Sequence, residues 1–321
     1  MSSITDIIQS IDEGSIRTIA RTLSKVENGD PEAVDILDIL FSKQQGFTLG
    51  VTGPPGAGKS TLVNRMISRY RLPDSDNKVG VIAIDPSSPF SGGALLGDRI
   101  RMQSHASDPN VFIRSMGSRG HLGGLSGATR DASCVLSASG YSPIIIETVG
   151  VGQAEVEVAD LADITLLVLV PGLGDDVQSM KAGIMEIGDI IVLNKADRSG
   201  IEQLENYVKA SLELIPPDKA KPAVVRVSAT TGEGLPDLWE AINSLLKKQS
   251  QKERIYFSAK KTLDGILLEN GKIFSRKLLE LEYDSIEKVE ELILTGATSP
   301  YAIGKKLRAK AERMFKHNGF K

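Results

Sequence analysis

Apolar residues fall along this chain in three regimes. Through residue 45 they recur at helical spacing: Ile4, Ile7, Ile8 and Ile11, then Ile16, Ile19, Leu23 and Val26. Gly14-Ser15 and Asn28-Gly29-Asp30-Pro31 punctuate that pattern, and Pro31 suits the first turn of a further helix. From 46 to 250, short apolar runs alternate with helical patterns. The runs are Phe47–Thr52, Val79–Asp85, Val111–Ser115, Pro143–Glu147, Ile164–Val170, Ile190–Asn194 and Ala223–Ser228. They are continuous, not alternating, as in strands buried on both faces. Strands separated by helices predict right-handed crossovers and a doubly wound, mostly parallel α/β sheet. From 251 to 321 no strand pattern remains. Leu263, Ile266, Leu267, Leu278, Leu279, Ile286, Val289, Leu292 and Ile293 predict two or three helices, and Ile303–Lys316 adds a basic one. The expected organisation is an N-terminal helical extension (1–45), a nucleotide-binding domain (46–250) and a C-terminal helical region (251–321).

Composition narrows the classes. A chain of 321 residues, 41% hydrophobic and 25% charged, can bury a large core, which excludes wholesale disorder. Aromatic residues make up only 5%, and 38 Lys+Arg against 41 Asp+Glu give a net charge of −3. Neither base-stacking platforms nor a broad basic face is expected, so nucleic acid is not the expected partner. Cys134 is the single cysteine and can form no intramolecular disulfide. The start, Met1-Ser2-Ser3-Ile4-Thr5-Asp6, lacks a basic region followed by a long apolar one, and Ile164–Val170 is far short of the ~20 residues that span a bilayer. The expectation is a soluble, cytoplasmic protein that does not enter a membrane.

Chemistry concentrates in a few loops. Gly53-Pro54-Pro55-Gly56-Ala57-Gly58-Lys59-Ser60-Thr61 follows one predicted strand and opens a predicted helix, which is the strand–loop–helix setting of a P-loop. Its glycines let backbone N–H groups wrap a β-phosphate at the positive end of a helix. Lys59 is spaced to reach the β- and γ-phosphates, and Ser60 to offer its hydroxyl to Mg²⁺. Asn194-Lys195-Ala196-Asp197, at the end of a strand run, selects the base. A carboxylate at Asp197 can accept from guanine N1–H and the 2-amino group, whereas adenine would leave it unpaired. Ser228-Ala229-Thr230, after the last strand run, is placed to donate a backbone N–H to guanine O6.

Glu147-Thr148-Val149-Gly150 ends another run. This is where a P-loop enzyme keeps an acidic residue on the metal side and a glycine that senses the γ-phosphate. Gln153 stands three residues beyond Gly150, not directly after it, so slow intrinsic hydrolysis is expected. Asp85 and Asp98 can approach the metal or its waters; the alternatives are a loop cap for Asp85 and a helix cap before Arg99–His105 for Asp98. Lys181, in the Gly- and Asp-rich stretch after Ile164–Val170, fits equally a phosphate contact in an ordered loop and a solvated surface. His105, His121 and His317 share no metal-ligand spacing.

Taken in order, G-P-P-G-A-G-K-S-T, D-P-S-S-P, G-D-R-I-R-M, E-T-V-G-V-G-Q and N-K-A-D resemble the MeaB/ArgK family of P-loop GTPases, whose human relative is the methylmalonic aciduria type A protein. The resemblance covers the central block and extends to the helical flanks. It implies a GTPase of the SIMIBI class, using GTP and Mg²⁺, that acts as a chaperone for adenosylcobalamin-dependent acyl-CoA mutases, above all methylmalonyl-CoA mutase. It also implies that Asp85 and Asp98 lie in a first switch, Glu147 in a second and Lys181 in a third that responds to the partner. A homodimer joined through the C-terminal helices is implied as well. Two other readings remain. A nickel metallochaperone GTPase would need His- or Cys-rich sites, against three scattered histidines and one cysteine. A kinase linked to basic amino-acid transport would need an acceptor pocket and a base, and no motif supplies either.

Overall fold

A computed structural model describes residues 3–71, 76–85, 105, 107–117, 124–148, 154–172, 185–216, 220–295 and 297–317. The chain divides into two compact units, Met1–Lys261 and Thr262–Lys321.

The first unit begins with three helices, α1 (Ile4–Asp12), α2 (Ile16–Asn28) and α3 (Pro31–Phe41). Local chemistry sets their ends. Ser3 and Asp6 form a reciprocal capping box on α1, Ser15 caps α2, and Asp30 caps α3 just ahead of Pro31. Gly29 closes α2 in the left-handed conformation, φ 65°.

Seven strands follow: β1 (Thr48–Thr52), β2 (Lys78–Asp85), β3 (Val111–Gly117), β4 (Tyr141–Thr148), β5 (Ile164–Leu169), β6 (Ile190–Asn194) and β7 (Ala223–Val227). They form one sheet in the order β3-β2-β4-β1-β5-β6-β7, and every pairing is parallel. The sheet expected to be mostly parallel is therefore wholly so among the described residues. Between the strands lie α4 (Lys59–Tyr70), α5 (Gly124–Ala138), α6 (Ala154–Leu161) and α7 (Ile201–Glu213), and α8 (Leu235–Lys248) follows β7.

Alternate residues of each strand serve opposite faces. Ile82, Ile84, Ile144 and Ile146 join a core with α5 and the N-terminal helices, while Val79, Val81 and Ile145 join another with α4 and α8. A third cluster packs α7 onto β5 and β6. The N-terminal helices thus share a core with the sheet. Arg114 of β3 fastens α2 further through two bonds of 2.7 Å to the Glu27 carboxylate and one of 3.0 Å to Ser24. That pairing holds the guanidinium above its usual pKa range.

A single helix, α9 (Gln251–Tyr283), runs from the first unit into the second; its 33 residues continue through Gly265 and Gly271. The second unit contains the rest of α9, with α10 (Ile286–Leu294) and α11 (Pro300–His317), and buries Leu278, Val289 and Ile303. Lys306 and Lys310 both pair with Glu282 there. Among the described residues, no helix is long and apolar enough to cross a membrane.

Because Leu23 is fully buried in the core that docks α2, Leu23→Ala should cost about 3 kcal/mol in the unfolding of the first unit. Urea titration checks this, with a lower midpoint and an unchanged slope expected.

Candidate functional site

In a parallel sheet all strands deliver their last residues to one edge, and a crevice opens where successive connections diverge to either side. Here β1 is the diverging strand, because the chain leaves it for β2 and β3 on one side and later fills β5, β6 and β7 on the other. The loop 53–58 springs from its carboxyl end and leads into α4.

Three glycines shape that loop for different reasons. Gly53 has φ 139°, and a Cβ there would collide with the Val168 carbonyl of β5. Gly56 has φ 73° with open space around its missing Cβ, so only backbone conformation demands it. Gly58 starts α4 at φ 85°, and a Cβ would lie 2.5 Å from Asn194 Nδ2. Lys59 is 6% exposed, and its ammonium donates to the Gly53 and Pro54 carbonyls at 2.6 and 3.0 Å. A loop of backbone N–H groups around a buried cation at a helix start is suited to polyphosphate.

Register brings Glu147 beside this loop, since it pairs with Val51 of β1 and Ala83 of β2. Glu147 is 1% exposed, and the Ser60 hydroxyl donates to its Oε1 at 2.7 Å. A hydroxyl and a carboxylate in contact at the mouth of the loop are hard oxygen donors of the kind Mg²⁺ takes, so the residues present fit that ion. Asp85 ends β2 at the same sheet edge. Its side chain lies outside the described residues, as do Asp98, Gly150, Gln153 and Lys181. Among the described residues no three His, Cys, Asp or Glu side chains form a separate metal cluster.

Two further loops, after β6 and after β7, close the crevice. Asn194, the last residue of β6, is buried; its amide donates to the Ala57 carbonyl at 2.7 Å and accepts from the Ala229 N–H at 3.1 Å. Lys195 holds φ 59°, uncommon for a residue with a side chain, and its ammonium reaches the Gly56 carbonyl at 2.7 Å. Asp197 is exposed, and a hydrogen bond from Ser228 holds its carboxyl below the usual range. Ser228 itself is fully buried, with its N–H on the Glu233 carbonyl at 2.9 Å. The structure therefore brings together the P-loop, Glu147, Asn194, Lys195, Asp197 and Ser228-Ala229-Thr230 along one edge.

Residues 19–263 match the family described as methylmalonyl Co-A mutase-associated GTPase MeaB. The chain belongs to the MeaB family. A Pyrococcus horikoshii protein named as a GTPase is 42% identical to this MeaB-family chain over 315 residues, covering 94% of it and 96% of the relative. The mouse methylmalonic aciduria type A homolog is 34% identical over 269 residues, 79% of this chain and 63% of the relative. The crystal structure of an LAO/AO transport system kinase aligns with a TM-score of 0.69 at 25% identity, over 96% of this chain and 97% of that one. The architecture is that of a P-loop GTPase, and GTP binding follows from MeaB-family membership.

One residue of the site escapes sequence reasoning. Arg65, on α4, donates to the Ala229 carbonyl at 2.8 Å and to the Thr230 carbonyl at 2.6 Å. In sequence it is an arginine in an amphipathic helix, and only the packing of α4 beside the 228–230 loop gives it a partner. Arg65→Met should weaken GDP binding about tenfold by loosening that loop, as expected for bonds from a charged donor. Fluorescent-nucleotide titration reads the effect, and the melting temperature of the nucleotide-free protein should barely move.

Proposed function

We propose that this chain hydrolyses GTP to GDP and phosphate and works as a nucleotide switch on an adenosylcobalamin-dependent acyl-CoA mutase, with methylmalonyl-CoA mutase first among candidates. In that role it gates cofactor loading and protects the mutase. The observation that carries the hydrolytic part is the Ser60–Glu147 contact at 2.7 Å beside a buried Lys59. Membership of a family described as methylmalonyl Co-A mutase-associated GTPases supports the partner.

The residues take the following roles in this reading. Backbone groups of 53–61 enclose the phosphates, and Lys59 offsets charge that builds between the β- and γ-phosphates. Ser60 and Glu147 would hold Mg²⁺, and Asp85 and Asp98 are assigned to the same metal. The ion, when bound, neutralises charge on the phosphate oxygens. A water attacks the γ-phosphorus in line; a P–O bond to that water forms, the bond to the β-phosphate oxygen breaks, and GDP leaves. Gly150 reports the γ-phosphate through its backbone. Asn194 and Lys195 frame the base, Asp197 accepts from guanine, and the Ala229 region faces O6.

The partner assignment extends to the C-terminal helices. We assign residues 251–321 to homodimerisation, supported by the exposed apolar side chains Leu263, Ile266, Leu267 and Leu281 on α9. Sedimentation of the full chain tests this assignment, and a monomer at micromolar concentration would remove it.

Two measurements test the reading itself. Asp197→Asn should weaken GTP and favour xanthosine triphosphate, because the new amide donates to a 2-oxo group where the carboxylate accepted from a 2-amino group. Competition binding decides it, and equal ATP and GTP affinity in the unsubstituted chain would sink the assignment. Phosphate release should be slow for the chain alone and accelerate with added mutase. A positive charge brought to the γ-phosphate is worth ~10³-fold in related transfers, and Lys181 is the candidate. Lys181→Ala should remove most of the stimulation; full stimulation in that variant eliminates Lys181 and leaves Arg99 and Arg101 to test.

A further inference from the structure

The nucleotide loops occupy the carboxyl edge of the sheet. At the other edge, where β1 begins, the first unit forms an open cavity of about 260 Å³. The five residues of β1 separate the two places, about 17 Å at the rise of a strand. Nothing in the GTP chemistry uses this second cavity.

Its wall carries three cations: Arg130 of α5, and Arg254 and Lys261 of the first turns of α9. Arg254 is clamped, with one terminal nitrogen donating to the Gln249 carbonyl at 2.7 Å and the Leu246 carbonyl at 3.3 Å. Its Nε is shut off from solvent and has no acceptor among the described residues. The two carbonyls fix the guanidinium in place, with its charge at the cavity wall. Lys261 is exposed and held at 3.0 Å on the Asp160 carbonyl, while Arg130 is half-buried. Two carboxylates also line the space, of which one is engaged elsewhere and the other is open to solvent. Asp163 Oδ2 accepts from the Thr48 N–H at 2.7 Å and hydroxyl at 2.9 Å, and Asp160 is exposed.

The surrounding frame is rigid. Ser137 Oγ accepts from the Gln45 N–H at 2.8 Å and donates to the Gln45 carbonyl at 2.7 Å. Gly46, at φ 75°, then passes so close to Ser142 that any Cβ would collide. Leu161 and Phe257 supply apolar surface to the same cavity. A clamped guanidinium, two further cations, an apolar wall and a preformed frame are the ingredients of a small-ligand site.

We infer that this cavity binds a small organic anion, with an oxyanion head held among Arg130, Arg254 and Lys261 and an apolar body against Leu161 and Phe257. The volume lies near the ~300 Å³ lower end of ligand pockets, so a metabolite-sized ion fits and a nucleotide does not. Carboxylate and phosphate heads share this chemistry. Bound there, the anion joins the first turns of α9 to the start of the strand whose far end carries the P-loop.

The test uses the full chain saturated with GDP and Mg²⁺, which keeps phosphate out of the P-loop. Phenyl phosphate, phenylacetate and inorganic phosphate are titrated by calorimetry and followed by melting temperature. At least one of the two aromatic anions should bind, and at ten times its Kd should raise the melting temperature by about 3 °C; the tighter of the two identifies the head group. Arg130→Gln should weaken that binding at least tenfold. Lys261→Gln, at an exposed position, carries the same readout if the first variant fails to fold. Absence of binding by both aromatic anions overturns the proposal, as does undiminished binding in the folded variants. Inorganic phosphate binding as tightly as phenyl phosphate overturns the apolar half of the site. GDP affinity measured in the same samples reports the nucleotide site separately.

Discussion

The arrangement of the nucleotide crevice hangs on the side-chain amide of Asn194. It is buried, so both its donor and its acceptor must find partners, and it finds them on two different loops: the Ala57 carbonyl of the P-loop and the Ala229 N–H beyond β7. In a low-dielectric setting such bonds are strong, and breaking either leaves a stranded polar group. The constraint propagates outward. Gly58 must lack a Cβ because Asn194 Nδ2 occupies the space, and Lys195, next in sequence, takes a left-handed conformation that puts its ammonium on the Gly56 carbonyl. Arg65 then fixes the outer side of the 228–230 loop. One buried amide thereby ties the P-loop to the loop beyond β7.

The sheet makes that geometry possible. Its all-parallel order sends the ends of β1, β2, β4, β6 and β7 to one edge, so residues more than a hundred positions apart become neighbours. Glu147 meets Ser60 because β4 pairs directly with β1. The same order sends the strand beginnings to the opposite edge, where β1, α5 and the start of α9 surround the cationic cavity. Strand β1 therefore has a phosphate loop at one end and, at the other, a frame held by Asp163 and Thr48. Its residues Leu49 and Val51 are fully buried between neighbouring strands and helices, so the two ends are joined by a stiff segment.

Much of this was legible from residue order alone. All seven strand runs appear within a few residues of their expected places, because a strand buried on both faces must be continuously apolar. The N-terminal helices were legible through their caps, which act within four residues. The P-loop and the Asn194–Asp197 motif were legible because their chemistry is local: glycines at left-handed positions, a lysine at a helix start, a carboxylate at a strand end. The length of α9 was less so. Its apolar residues are too widely spaced to mark one continuous helix, and a run of 33 residues is decided by partners as well as by propensity.

Sequence by itself determined the class of fold, the phosphate loop and the Asn194–Asp197 motif, since each depends on residue types at short separations. Tertiary structure alone decided which distant groups touch. No spacing rule connects Ser60 to Glu147, Arg65 to Ala229 and Thr230, or Arg114 to Glu27. Nor could the pattern reveal that Arg130 lines one space with Arg254 and Lys261, since the two helices that carry them are more than a hundred residues apart in sequence. Strand order sets those pairings, and strand order follows from how crossovers pack apolar faces together, a global balance that no single segment of sequence contains.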